Sequence, residues 1–213
     1  NANLAAIIDF GSLTAIAPSM FEGCAELSSV TLPDIIRTIG LGAFANCTSL
    51  EEIKLPEGLT EIAQAVFAGT ALTQIDLPST VTAIGESAFE GVAISSVDLT
   101  NVTTIGARAF YGTLLTEVSS DSVISVGDEA FTSVSAAAGG SVSSRLASVS
   151  FPNAESIGAR AFANCASLTS VQLPAVKTIG AEAFSGCASL ATLNVDAAET
   201  VGFIFLRFDA RQL

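Results

Sequence analysis

Residues 39–56 read Ile-Gly-Leu-Gly-Ala-Phe-Ala-Asn-Cys-Thr-Ser-Leu-Glu-Glu-Ile-Lys-Leu-Pro. The phrase that opens this stretch, Ile-Gly-x-x-Ala-Phe, recurs with variations down nearly the whole 213-residue chain. The phenylalanines that close its copies are Phe21, Phe44, Phe67, Phe89, Phe110, Phe131, Phe162 and Phe184. Neighbouring copies lie 21 to 23 residues apart, except for one interval of 31 residues. A fixed period of this length predicts stacked repeats, each stable only against its neighbours.

A second phrase, Leu-x-x-Val/Ile-x-Leu-Pro with variants, follows each phenylalanine and predicts a short strand. Ile53 and Leu55 alternate with polar residues, which is the periodicity of a strand with one side inside. Pro56 ends this strand because proline cannot donate to a ladder. We expect the glycine of Ile-Gly to allow a tight turn, and Ala-Phe to lie on a short helical turn. The predicted fold is an α/β repeat solenoid with a parallel β-sheet on one face and short helical or 3-10 turns opposite.

One repeat register runs through the chain, so we expect a single domain over residues 1–213 with about eight to nine coils. The pattern begins near Leu4. Residues 132–145 are rich in Gly, Ser and Ala and are predicted to form a flexible insertion. Residues 203–213 depart from the repeat and are predicted to be a degenerate cap or a truncated end.

The composition excludes several classes of function. Eight Lys and Arg against 21 Asp and Glu give a net charge of −13, which repels nucleic acid and anionic lipid. No apolar run approaches the roughly 20 residues of a membrane helix. The chain contains no histidine, the commonest general base and metal ligand. We therefore expect no enzyme activity, no cofactor, no metal, no nucleic-acid partner and no membrane insertion.

The four cysteines occupy equivalent positions in two pairs of adjacent coils, Cys24 with Cys47 and Cys165 with Cys187. Such positions can approach the Cα separation of a disulfide, about 4.4 to 6.8 Å. Alternatively, each cysteine packs as a small buried residue, because Thr or Val takes its place in other coils. We favour the second interpretation. Coils without cysteine separate the two pairs, which excludes a four-cysteine zinc site.

Strand residues that point away from the interior predict a polar, partner-binding face, since extended repeat proteins usually bind through such surfaces. The candidates on this face are Glu52, Lys54, Gln74, Asp76, Asp98 and Glu117. Tyr111, the one tyrosine, is expected to be partly exposed and is a further candidate, because aromatic residues often anchor partners. Asp76 and Asp98 are expected one rung apart, which would suit Ca²⁺ unless Lys54 neutralises Asp76.

The run from Leu50 to Ile62, leading into Val66-Phe67, closely resembles leucine-rich repeats of the BspA-like, or Treponema pallidum, type. The resemblance covers about residues 4 to 202. It implies a curved right-handed solenoid and a non-catalytic protein-binding role in a surface or secreted protein. It also implies adhesion to a host extracellular or cell-surface protein, and an extracellular or cell-surface location. The alternative is a structural spacer or stalk that presents another domain.

Overall fold

The computed structural model describes residues 10–134 and 145–202. The predictions for the start of the array near Leu4, for residues 135–144 of the insertion and for residues 203–213 lie outside these ranges. Within the described ranges the chain winds through successive coils, each named after its interior phenylalanine.

Two kinds of short strand occur along the chain. Strands of two residues carry the isoleucine or valine of the first phrase, and strands of three residues follow the phenylalanine. The two-residue strands are β1 (Ala15–Ile16), β3 (Thr38–Ile39), β5 (Glu61–Ile62), β6 (Ala83–Ile84), β7 (Thr104–Ile105), β9 (Ser125–Val126), β11 (Ser156–Ile157), β13 (Thr178–Ile179) and β15 (Thr200–Val201). The three-residue strands are β2 (Ser29–Thr31), β4 (Glu52–Lys54), β8 (Glu117–Ser119), β10 (Ser148–Ser150), β12 (Ser170–Gln172) and β14 (Thr192–Asn194).

Every strand pair is parallel and joins equivalent strands of neighbouring coils. The two-residue strands form the sheets β1-β3 and β5-β6-β7-β9-β11-β13-β15, and the three-residue strands form β2-β4 and β8-β10-β12-β14. In-register pairing, such as Val149 opposite Val171, stacks equivalent side chains in columns. The predicted parallel-strand solenoid is confirmed, although each coil contributes to two strand faces instead of one.

The interior is a column of phenylalanine rings. From Phe21 to Phe184, each ring stacks on the next with centroids 5.2 to 5.9 Å apart and planes within 22° of each other. All eight rings except that of Phe21 are buried. Stacked aromatic side chains bury large apolar areas, so the column supplies the core that a single coil lacks.

The expected helical or 3-10 turns are absent, because residues 10–134 and 145–202 contain no helix, and so none that could cross a membrane. Arg108 (φ 55°), Asn46 (φ 59°) and Gly69 (φ 68°) illustrate two left-handed positions that recur on the phenylalanine side of the coils. Left-handed residues interrupt the right-handed backbone that a helix needs. Alternate amides instead donate to the next coil, as Phe44 N does to Val66 O at 3.0 Å. This turn ladder forms the third side of each coil, and the prediction of helical turns was wrong.

A tight turn begins at the glycine of the Ile-Gly phrase, as predicted, since Ala109 N donates to Gly106 O at 3.3 Å. The same glycine also permits close packing of the coils. A Cβ on Gly158 would lie 2.4 Å from the backbone nitrogen of Asp128 in the preceding coil. A Cβ at any of the equivalent glycines would come within 2.3 to 2.7 Å of the preceding coil's backbone; these are Gly40, Gly85, Gly106, Gly127, Gly180 and Gly202. Only glycine fits such an approach.

One junction, between the Phe44 and Phe67 coils, lacks both strand ladders, and we name it the seam. β3 does not pair with β5, and β4 has no strand partner in the Phe67 coil. The two rings lie 5.9 Å apart, the widest spacing among the stacked rings. Ala63 stands where the adjoining coils have glycine, and its N–H lacks the hydrogen bond to the preceding coil that Gly85 N makes to Ile62 O at 2.7 Å. The turn ladder nevertheless continues across the seam.

Candidate functional site

The three-residue strands and the equivalent residues 74–76 and 96–98 form one outward surface, the polar face. The six sequence candidates on this face are all exposed: Glu52, Lys54, Gln74, Asp76, Asp98 and Glu117. Between two of them, Ile53 is buried against the core. This alternation follows from the opposite directions of successive side chains in a strand. The exposure of the six residues is as expected, and their role in binding stays a prediction.

The polar face is interrupted at the seam. No backbone hydrogen bond joins residues 47–58 to residues 70–79, all of which the structure describes. On its other side β4 is paired with β2, and Leu32 N donates to Lys54 O at 3.0 Å. β4 therefore has one paired edge and one open edge. The interruption lies where the spacer shortens, since Leu72 follows Phe67 by one residue fewer than Leu50 follows Phe44.

A cleft of about 400 Å³ opens along the open edge of β4. Its apolar lining consists of Ile53, Leu55, Ile75, Leu77 and Pro78, and its polar lining of Glu51, Glu52, Lys54, Glu57, Gln74 and Asp76. Four carboxylates against one ammonium group make the lining negative. We name it the acidic cleft. Four of the six candidates line it, a convergence that strand alternation alone does not predict.

Asp98 and Glu117 lie on the polar face outside the cleft lining. The Asp98 carboxylate accepts hydrogen bonds from the side chain and the backbone N–H of Thr100, which lower the pKa of Asp98. Within the described ranges, no group of three or more Cys, Asp or Glu side chains is arranged to hold a metal ion. Ca²⁺ needs several oxygen ligands, so Asp76 and Asp98 do not make a calcium site on their own.

Tyr111 lies on the turn side of its coil and is not part of the polar face. Its side of the coil is joined to the preceding coil by Gly91 N, which donates to Tyr111 O at 2.8 Å. The ring is half-buried, and the guanidinium carbon of Arg108 lies 3.9 Å from its centre. This is the geometry of a cation–π contact, which covers one face of the ring. The structure therefore separates Tyr111 from the other six candidates.

A chain of ion pairs on the turn side was missed from sequence. Arg108 donates to Glu90 at 3.2 Å and to Glu129 at 2.7 Å. Arg160 lies 3.6 Å from Glu129 and 4.0 Å from Glu182. The hydrogen bond from Arg108 lowers the pKa of Glu90. The sequence does contain a sign of these ion pairs. The residue directly before Ala-Phe in the repeated phrase alternates between basic and acidic from coil to coil: Arg108, Glu129, Arg160 and Glu182.

Three of the four cysteines are buried thiols that bond to the backbone of the preceding coil. Cys47 donates to Phe21 O at 3.0 Å, Cys165 to Phe131 O at 3.3 Å, and Cys187 to Phe162 O at 3.1 Å. Burial raises the pKa of Cys47 to about 11 and that of Cys187 to about 12. Cys24 is exposed. The favoured interpretation of small buried residues therefore holds for three cysteines, and neither pair forms a disulfide.

Two strand ladders, a turn ladder and an aromatic column together define a leucine-rich-repeat solenoid of short coils. The family model of the BspA type leucine rich repeat region matches residues 14–137 and 142–203. The chain belongs to this family, which confirms the resemblance read from sequence. Leucine-rich-repeat proteins generally act through protein–protein interaction and are typically non-catalytic. No curated protein sequence matches the chain closely enough to count as a relative.

Three solved structures are similar to this one. A leucine rich cell surface protein from Faecalibacterium prausnitzii is 26% identical with a TM-score of 0.51, over 89% of this chain and 63% of that protein. The pneumococcal vaccine antigen PcpA is 21% identical with a TM-score of 0.59, over 91% of this chain and 51% of the antigen. A leucine-rich repeat protein from Bacteroides ovatus is 21% identical with a TM-score of 0.50, over 90% of this chain and 67% of that protein. The last two likenesses concern the fold alone.

Proposed function

We propose that the chain is a non-catalytic protein-binding module of a surface or secreted protein, and that the polar face is its binding surface. The observation that carries the proposal is the convergence of Glu52, Lys54, Gln74 and Asp76 on the acidic cleft. Exposed charges that surround an apolar floor give a partner both orientation and buried area. Asp98 and Glu117 extend the same face beyond the cleft.

The partner in this proposal is a host extracellular or cell-surface protein, and the role is adhesion. The cell-surface description of the Faecalibacterium protein supports this location. The chain spans only 63% of that protein, so the partner of a complete protein can involve further regions. We further propose that residues 1–213 form a single array of about eight to nine coils.

The test compares two variants of equal charge for binding to immobilised extracellular proteins by biolayer interferometry. The first variant, Asp76→Asn/Asp98→Asn/Glu117→Gln, removes three carboxylates from the polar face. The control, Glu61→Gln/Glu86→Gln/Glu199→Gln, removes three exposed carboxylates from other sides of the coils. Circular dichroism and thermal melting check that both remain folded.

We expect saturable binding by the unmodified chain and by the control, and weakening of about two- to fivefold for each polar-face charge removed. Equal loss in both variants would indicate non-specific attraction to the negative chain, and the proposal would fail. Absence of binding to every panel protein would instead favour a structural spacer that presents another domain. The continuous seven-stranded sheet suits that second role.

A further inference from the structure

The open edge of β4 presents backbone groups without strand partners to the acidic cleft. On the paired edge, Glu52 N donates to Ser28 O at 3.4 Å, and Lys54 O accepts from Leu32 N at 3.0 Å. Backbone groups of successive residues in a strand point to opposite sides within the sheet. The N–H and C=O of Ile53 therefore face the next coil, where no backbone hydrogen bond crosses the cleft between residues 47–58 and 70–79.

An open strand edge is satisfied by another extended segment that adds to the sheet. The acidic cleft, with a volume of about 400 Å³, lies directly beside the open edge of β4. Alternate side chains of an added strand point to opposite faces. One set would reach the apolar side chains of the floor, such as Ile75 and Leu77, and the other set would reach the carboxylates of Glu52 and Asp76.

We infer that the acidic cleft binds an extended segment of a partner protein in which basic and apolar residues alternate, and that this segment pairs with β4 as an added strand. The inference rests on the proposed function and specifies the class of partner. Main-chain hydrogen bonds to Ile53 supply the pairing, and the carboxylates select basic side chains. A segment of about five residues covers β4 and its flanks at about 3.3 Å per residue.

The charge of the cleft decides between occupants. A second copy of this chain carries 21 acidic against 8 basic residues, so it does not complement a negative lining. Nucleic acid is repelled for the same reason. A basic extended segment satisfies both the charge of the lining and the open edge.

Three short peptides with blocked termini test the inference. The first is Val-Lys-Val-Lys-Val-Lys. The second is its acidic counterpart, Val-Glu-Val-Glu-Val-Glu. The third is the basic sequence with every backbone amide methylated on nitrogen, which keeps the charge and removes the ladder donors from both edges of the peptide. Each is titrated into the isotope-labelled full chain, and amide shifts and hydrogen exchange are followed by NMR. Only the first peptide should slow exchange at the amide of Ile53 and shift the amides of residues 73–77.

Matched variants locate the binding on the polar face. Glu52→Gln/Asp76→Asn removes two carboxylates from the cleft, and Glu61→Gln/Glu86→Gln removes two exposed carboxylates from other sides of the coils. We expect the first pair of substitutions to lower the affinity for the basic peptide about two- to fivefold per charge at low salt. The second pair should leave the affinity unchanged.

Equal binding of the methylated or the acidic peptide would overturn the inference, as would an unperturbed Ile53 amide at saturating basic peptide. These results are separable from a failure of the proposed function. Suppose that a panel protein requires Asp98 and Glu117 for binding but does not require Glu52 and Asp76. The proposal that the polar face binds a partner would then stand, and the proposal of an added strand beside β4 would fail. Loss of binding in the Glu52→Gln/Asp76→Asn variant alone supports both proposals.

Discussion

Two junctions of the same solenoid join their coils in different ways. Between the Phe131 and Phe162 coils, β9 pairs with β11 and β10 pairs with β12, and the rings lie 5.4 Å apart with planes 2° from parallel. At the seam neither ladder is present, and the Phe44 and Phe67 rings lie 5.9 Å apart at 14°. The turn ladder and the aromatic column are common to both junctions. They hold successive coils together, so the array can open a cleft on one side without ending.

Two small sequence differences accompany the contrast. A Cβ on Gly158 would lie 2.4 Å from the preceding backbone, whereas Ala63 has a Cβ at the equivalent position of the seam. The spacer from Phe67 to the next strand leucine is also one residue shorter than that from Phe44. The closed junction tolerates a larger difference, since Leu146 follows Phe131 by 15 residues and Leu168 follows Phe162 by six, so the glycine is the feature that distinguishes it from the seam.

The largest effect should come from removing a ring on either side of this comparison. Phe162 and Phe67 are both fully buried and stacked on both sides. Phe162→Ala should lower the free energy of unfolding by about 3 to 5 kcal/mol, because paired strands prevent collapse into the cavity. Phe67→Ala should cost less, since the seam can close around it. Urea unfolding measures both, and equal losses would mean that the missing ladders do not loosen the seam.

A medium effect should follow from exchanging the residues that distinguish the junctions. Gly158→Ala forces a Cβ into the preceding backbone and should destabilise the chain by about 1 to 3 kcal/mol. The matched change Ala63→Gly relieves no clash and should alter stability by less than about 1 kcal/mol. Urea unfolding gives the energies, and amide exchange shows whether protection falls at β9 and β11 in Gly158→Ala. Unchanged protection there would contradict the packing role of the glycine.

The smallest effect concerns the ion pairs of the continuous region. Arg108 lowers the pKa of Glu90 below its ordinary value of 4.5 in the folded chain. The stabilisation is therefore present above about pH 5 and is lost as the pH falls through the lowered folded pKa. Arg108→Gln should cost about 0.5 to 1 kcal/mol at neutral pH. The variant and the unmodified chain should converge in stability at pH values below the lowered pKa of Glu90.

Urea unfolding at several pH values measures this convergence, with Arg160→Gln as a control. Arg160 is more exposed and makes longer ion pairs, so its substitution should have the weaker pH dependence. A constant difference between Arg108→Gln and the unmodified chain at all pH values would show that the contact with Tyr111, and not the carboxylate, carries the stabilisation.

Much of the fold was predictable from sequence. Equivalents of residues such as Phe89 and Val171 recur at a nearly constant period, which predicts coils stacked in register. The helical turns were not correctly predicted. Their place is taken by left-handed residues such as Arg108 and Glu129, which are not glycines and give no local signal of a positive φ. The backbone adopts this conformation because its amides bond to the neighbouring coil, which a single coil does not reveal.

For the candidate site, the sequence predicted the exposure of individual residues but not the cleft that some of them line. The alternation of polar and apolar residues around Ile53 correctly predicted that Glu52 and Lys54 are exposed. Their convergence with Asp76 on a cleft occurs at the seam, where both strand ladders are missing. The repeat register predicts continuous ladders at this junction, so the sequence pattern did not indicate the interruption. The partial exposure of Tyr111 was expected, whereas its contact with Arg108 was not, because that contact spans a turn.

The pairing of Arg108 with Tyr111 makes one coil optically distinct. The chain has one tyrosine and no tryptophan, so tyrosine fluorescence arises at a single known point. That ring lies next in sequence to Phe110, which belongs to a column of stacked rings that absorb at shorter wavelength. Tyrosine emission therefore reports on the surroundings of this one coil, beside the guanidinium group of Arg108, without any attached label.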